Sequence, residues 1–147
     1  MREILFRGKT TDGDWTYGYY VFTPKRTGIF GQTISSADFD RHYILTMRFN
    51  FVKEVIPTSV GQFTSLYDKN GKRIFEGDIC RFREWSNGDM CWVGKVHYEY
   101  QQFVISGGKN KECKTPFTLA MSRFVSKNIE IIGNIHDNPE LLKGGET

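Results

Sequence analysis

The feature that most constrains the fold of this chain is a set of turn sequences, each lying between short alternating apolar runs. Asp12-Gly13, Asp68-Lys69-Asn70-Gly71 and Asn87-Gly88 are the clearest of them. Asn-Gly and Asp-Gly pairs tolerate the positive φ angles of tight hairpins, so the flanking runs read as antiparallel strands. The first hairpin joins Ile4-Leu5-Phe6-Arg7 to Trp15–Phe22 through a type I′ turn at Asp12-Gly13, with Trp15, Tyr17, Tyr19 and Val21 on one face. Pro24 ends the second strand. Residues Gly28 to Asp40 read as a mobile loop or a weak hairpin, and Arg41 to Phe49 as another strand with Tyr43, Leu45, Met47 and Phe49 on one face.

The central stretch repeats the pattern more strongly. Val60–Tyr67 and Lys72–Ile79 flank the Asp68–Gly71 turn, Asp78–Trp85 turns at Asn87-Gly88 into Met90–Tyr98, and Phe103-Val104-Ile105 returns. Successive strands with short turns describe a meander, which at this length curls into a small barrel. Ile129–Ile135 reads as a closing strand, central in its sheet and paired with a strand distant in sequence. Asp137 is expected to cap one helical turn that holds Pro139 and Glu140. The fold class that follows is mainly β: an antiparallel meander forming an SH3-like barrel, with an N-terminal β-hairpin lobe and one short C-terminal helical turn. A chain of 147 residues fits a single domain over 1–147, with sub-lobes at 1–57 and 58–143.

Composition agrees. Three Trp, seven Tyr and twelve Phe, with fifteen Gly, favour strands and turns. These aromatics exceed what a small barrel readily buries, which points to a homo-oligomer formed through aromatic β surface. The net charge of +3 permits an acidic partner without demanding one. The start lacks the apolar run of a signal peptide, and no stretch reaches the roughly 20 apolar residues of a membrane span. The expected location is the cytoplasm, with no membrane partner. Cys80, Cys91 and Cys113 are odd in number and lack CxxC spacing. With a two-residue turn at Asn87-Gly88, Cys80 and Cys91 would stand ~13 Å apart, too far for a disulfide. Reduced thiols follow.

Three blocks resemble the YopX-like family of phage and prophage proteins. They are Arg2-Glu3-Ile4-Leu5-Phe6-Arg7-Gly8, the segment from Thr58-Ser59-Val60-Gly61-Gln62-Phe63-Thr64 through Asp68–Ile79, and Ile129–Leu142. The central block is the specific one. Ser65 departs from the pattern, standing where the family usually has Gly after its Gln-aromatic-Thr run, which leaves the backbone less free there. The resemblance implies a mostly β protein encoded by a phage, a prophage or a similar element, and it implies no biochemical activity.

Candidate sites must be weighed residue by residue. Asp68, Glu76 and Asp78 could form a composite acid site that binds Mg²⁺ or performs acid–base work, as in a metal-dependent hydrolase. Turn acids more often accept hydrogen bonds from local amides, and Gly77 between two of them suits a positive φ. That structural reading is preferred. His42, His97 and His136 lack ligand spacing, so a zinc site would have to assemble in space from His97 with Cys80 or Cys91; no metal and no cofactor are expected. No phosphate-binding glycine loop or nucleophile elbow is present.

The hairpin Asp78–Tyr98 carries the other candidate. A two-residue turn would set Arg83 opposite Trp92 and place Arg81, Arg83, Trp85 and Trp92 on one face. Basic residues interleaved with aromatics suit single-stranded nucleic acid. The competing reading makes the tryptophans core or interface anchors, with the arginines lying over them, and a one-residue slip in register would swap the faces. The sequence therefore favours a non-catalytic binding or assembly module, acting on a host protein or nucleic acid, over an enzyme.

Overall fold

The computed structural model of the chain describes residues 2–24, 40–46, 51–83, 91–108 and 116–143. It is mainly β, as the turn chemistry requires. It divides into two compact units, Glu3–Gln62 and Phe63–Thr147 with Met1–Arg2.

In the first unit, β1 (Phe6–Lys9), β2 (Trp15–Thr23), β3 (Arg41–Thr46) and β4 (Val52–Glu54) form an antiparallel meander. Gly61 and Gln62, which open β5 (Gly61–Tyr67), pair with Arg7 and Phe6. The β1–β2 connection is longer than a type I′ hairpin. Lys9 pairs with Trp15, and Gly13 N–H donates to the Thr10 carbonyl at 3.0 Å. Among Thr11, Asp12 and Gly13, the positive φ belongs to Gly13 alone, at 93°. The turn residues are therefore Thr11 and Asp12, with Gly13 leaving the turn in the left-handed region. Gly18 in β2 lies so close to β3 that a Cβ would stand 1.9 Å from the Leu45 carbonyl oxygen. Ser59, within a 3-10 turn at Pro57–Ser59, is buried and fastens this turn to β1. Its hydroxyl accepts from Lys9 N–H at 2.7 Å and donates to the Ile56 carbonyl at 2.6 Å.

The second unit holds the rest of β5, β6 (Arg73–Phe75), β7 (Asp78–Arg83), β8 (Cys91–Glu99), β9 (Gln102–Gly107), β10 (Phe117–Ala120), α1 (Arg123–Asn128) and β11 (Ile129–Asn134). Five of these strands make an antiparallel sheet in the order β10-β9-β8-β7-β11. The meander is as expected. The closed barrel is not found among the described residues, because β10 and β11 are the two ends of the sheet order. β11 does pair with a distant strand, β7, but as an edge of that sheet rather than at its centre. A bulge between Ile131 and Gly133 also breaks the simple alternation expected there.

The core of this unit is Ile74, Cys80, Val96, Ile105 and Ile129, all at most 1% exposed, with Leu66, Phe82, Phe117 and Ile131 packed around it. Cys80 is fully buried. A two-residue turn at Tyr100-Gln101 joins β8 to β9, with φ values of 48° and 64°. Asn87-Gly88 lies outside the described residues. The Asp68–Gly71 turn joins β5 to β6 as the sequence requires, with Gly71 at φ 78°. The C-terminal helical turn is present at Pro139–Leu141, but its N-cap is Asn138 and not Asp137. Asp137 instead accepts from Asn134 Nδ2 at 2.9 Å. The side chain of Asn134 organises this bend, its Oδ1 accepting from the N–H groups of His136 and Asp137.

Between the Phe63–Phe75 and Tyr67–Arg73 pairs, β5 carries three residues against one in β6. Thr64 takes up the surplus: its hydroxyl donates to the Ile74 carbonyl at 2.9 Å and accepts from Leu66 N–H at 3.2 Å. Ser65 is thereby pushed into the left-handed region, at φ 67°. That conformation costs an L-residue about 1 kcal/mol, which explains why glycine suits the position. Ser65→Gly is expected to raise stability by about 0.5–1 kcal/mol in urea denaturation, since among the described residues the bond the Ser65 hydroxyl gives up is an exposed one, accepted from Arg2 Nε. An unchanged or lower midpoint would show that the bulge is unstrained. Ile129, fully buried, carries the larger burden: Ile129→Ala is expected to lose ~2–5 kcal/mol in the same measurement.

Candidate functional site

The acids singled out in the sequence are held by the backbone. Asp68, 4% exposed, accepts on Oδ1 from Asn70 N–H (2.8 Å) and Lys72 N–H (2.9 Å), and on Oδ2 from Ile131 N–H (3.1 Å). The same turn sends Lys69 N–H to the Ile129 carbonyl at 3.0 Å. One carboxylate thus closes the β5–β6 turn and also covers the outer edge of β11. Asp78, 2% exposed, accepts from Phe75 N–H at 2.8 Å through Oδ2. Gly77 between the acids has φ 83°, donates to the Val96 carbonyl and accepts from Ile135 N–H. Glu76 is half-buried. Asp78 pairs with Asn134 on the β7 side of β11, whereas Asp68 reaches Ile131 from the other side. The strand therefore separates these two carboxyl groups.

The β7–β8 register differs by one residue from the one expected. Phe82 pairs with Trp92 and Arg83 with Cys91. A single-residue shift exchanges the faces. Trp92 accordingly stacks between Phe82 and Phe117, with ring centroids at 5.6 and 5.2 Å, on the face that also carries Cys80. Arg81 is on the opposite face, cross-strand from Glu130. The expected alignment of Arg81 with Trp92 is not formed. The Arg83 side chain and Trp85 lie outside the described residues. His97 is also on the face away from Cys80, with Nε2 at 3.2 Å from Glu99. Among the described residues no three His, Cys, Asp or Glu side chains converge as a metal would require.

What the structure does assemble is a groove of about 590 Å³ between the Asp68–Gly71 turn and α1. Ser65, Tyr67 and Lys69 line one side; Arg123, Ser126 and Lys127 line the other. The helix starts where it does because Ser122 Oγ accepts from Val125 N–H at 3.2 Å. Arg123 and Lys127, four residues apart, share a helical face. Lys69 Nζ stands 2.9 Å from Glu130, and its hydrogen bond and charge hold the Glu130 carboxyl below the usual carboxylate range. The sequence reading missed this groove, because a six-residue helix is too short to show periodicity. Ser122 ahead of Phe124 and Val125 was the signal that could have found it.

Compared with known proteins, residues 14–143 match the profile of the family described as YopX protein. The chain belongs to the YopX family. The residues of the family blocks have a physical content: Ser59, Asp68, Asp78 and Asn134 lie at turns and bends and bond to backbone. No curated protein matches the chain. Among solved structures it is similar to the crystal structure of protein EF1440 from Enterococcus faecalis, at 22% identity over 97% of this chain and 99% of that one, with a TM-score of 0.49.

The role of Asp68 is open to direct measurement. Asp68→Ala leaves three amide donors without their acceptor and is expected to cost ~3 kcal/mol or more. Asp68→Asn keeps one acceptor oxygen and should cost less. If the alanine variant unfolds at the wild-type urea midpoint, the carboxylate does not hold the turn to β11.

Proposed function

We propose that this YopX-family chain is a phage- or prophage-encoded accessory protein, acting in the cytoplasm of the bacterial host as a non-catalytic assembly module. It works by self-association through the open aromatic face of the sheet over β2, β3 and β4. The observation that carries this reading is the row Tyr17, Tyr19 and Val21 along β2, which are 47%, 50% and 42% exposed. Register extends the row across the sheet: Tyr19 pairs with Leu45, Val21 with Tyr43, and Leu45 with Val52. The opposite face of β3 is the one that buries, since Ile44 is fully covered.

Tyrosines present large apolar area with a polar tip, which is the chemistry of an interface anchor. The charges on the face select the partner. Arg41 and Glu54 lie at one end of it, 4.0 Å apart, so the face offers both signs rather than one. A two-fold related copy supplies Glu54 to Arg41 and Arg41 to Glu54, the self-complementarity of an isologous dimer. A strongly acidic or basic host surface would match only half of it.

Sedimentation equilibrium tests the reading. Wild-type protein is expected to show a dimer mass at ~50 μM, and Tyr19→Lys, at an exposed position, should raise the dimer dissociation constant at least tenfold (about 1.4 kcal/mol). A monomer mass at that concentration, or a dimer indifferent to Tyr19→Lys, would overturn self-association through this face.

A further inference from the structure

We infer that the groove between the Asp68–Gly71 turn and α1 is a binding site for single-stranded nucleic acid, with Lys69, Arg123 and Lys127 on the phosphates and Tyr67 against a base. This goes beyond self-association, and it concerns the other compact unit, so a monomer mass would leave it intact.

Charge is the first argument. Three cationic side chains line the groove. The acid that lines it with them, Asp68, is buried with both oxygens accepting from amides, so it presents little negative surface to a ligand. Of the three groove cations Glu130 is paired with Lys69, which leaves Arg123 and Lys127, both exposed, to set the local sign. Their Cβ atoms, one helical turn apart, are about 5–6 Å from each other. That spacing is comparable to the separation of successive phosphates along one strand.

The aromatic component distinguishes this ligand from a simple anion. Tyr67 lines the groove, is 45% exposed, and is held edge-on against Phe63 at 5.6 Å, so its ring is braced while one surface remains open. Leu66 adds apolar lining. An isolated phosphate has no use for an open ring, whereas an unpaired base gains by stacking on one. A duplex keeps its bases stacked inside and would offer only its backbone. The groove therefore suits a single strand, bound with little sequence preference. Arg81 and Trp92 are not among the residues that line it.

The test is fluorescence anisotropy with a labelled oligothymidylate of about ten nucleotides, titrated from ~50 mM salt upward. Three phosphate contacts give an expected slope of about −2 for log affinity against log salt concentration, at roughly −0.7 per phosphate on single strands. Arg123→Glu with Lys127→Glu should weaken binding at least tenfold and flatten the slope. Tyr67→Ala should weaken it by about tenfold while leaving the slope unchanged, because stacking releases no counterions. Arg123→Gln with Lys127→Gln, removing charge without reversing it, should fall between wild type and the double glutamate variant. Thermal melting of each variant separates lost binding from lost folding; if the double glutamate variant melts early the double glutamine variant replaces it, and if Tyr67→Ala does, Tyr67→Leu replaces it. The inference is overturned if ~100 μM wild-type protein leaves the anisotropy unchanged at low salt, or if the charge variants bind as wild type does. It is also overturned if polyphosphate of equal charge competes as well as unlabelled oligonucleotide, since the site would then read charge alone.

Discussion

The carboxylate of Asp68 is the interaction on which the most of this architecture depends. It joins three amides from two segments more than sixty residues apart, as the Ile131 bond shows. A strand at the end of a sheet exposes amides that must find partners, and β11 finds them in a turn rather than in another strand. The same bonds fix the backbone of Lys69, and hence one wall of the groove. The other wall, α1, runs directly into β11 at Ile129, the residue whose carbonyl the turn engages. Groove, edge strand and turn form one mechanical unit centred on a buried acid.

This also explains what the sequence could and could not reveal. The Asp68–Gly71 turn was legible because its chemistry is local: Gly71 takes a positive φ and Asp68 bonds two and four residues ahead. The β8–β9 turn was hidden for the opposite reason. Tyr100 and Gln101 adopt left-handed angles without the glycine or asparagine that normally announces them, so tertiary pairing of β8 with β9 imposes the conformation. The β7–β8 register was misread because a turn at Asn87-Gly88 would set a pairing one residue away from that which places Trp92 beside Phe82. Burial of Cys80 and Val96 on the same face decides the register, and no local signal reports it. For the candidate site, the acids were legible as turn residues, while the groove depends on a short helix and a distant turn meeting in space.

The motifs that place the chain in its family turn out to be largely occupied by main-chain bonding. Thr64 fills the bulge of β5, and Asn134 shapes the bend after β11. Such residues specify a backbone path. Tyr17, Tyr19, Arg123 and Lys127, which face outward, lie outside those blocks. Recognition of the family therefore carries the fold with it, and the chemistry of the surface has to be read separately, in good part from side chains the motifs do not contain.

The placement of β11 has a consequence for how the chain is made. A nascent polypeptide emerges from its N-terminal end, and the sheet of β1 to β4 has all its partners once Gln62 has appeared. The second unit has no such independence. β7 is synthesised some fifty residues before β11, the neighbour that covers it, and Ile74 and Cys80 stay without their complete surroundings until Ile129 arrives. During translation the β7–β10 meander is thus a half-covered hydrophobic sheet with an unpaired edge at β7, the kind of intermediate that invites premature association. That exposure lasts while the residues between β10 and β11 are made, and the arrival of β11 ends it.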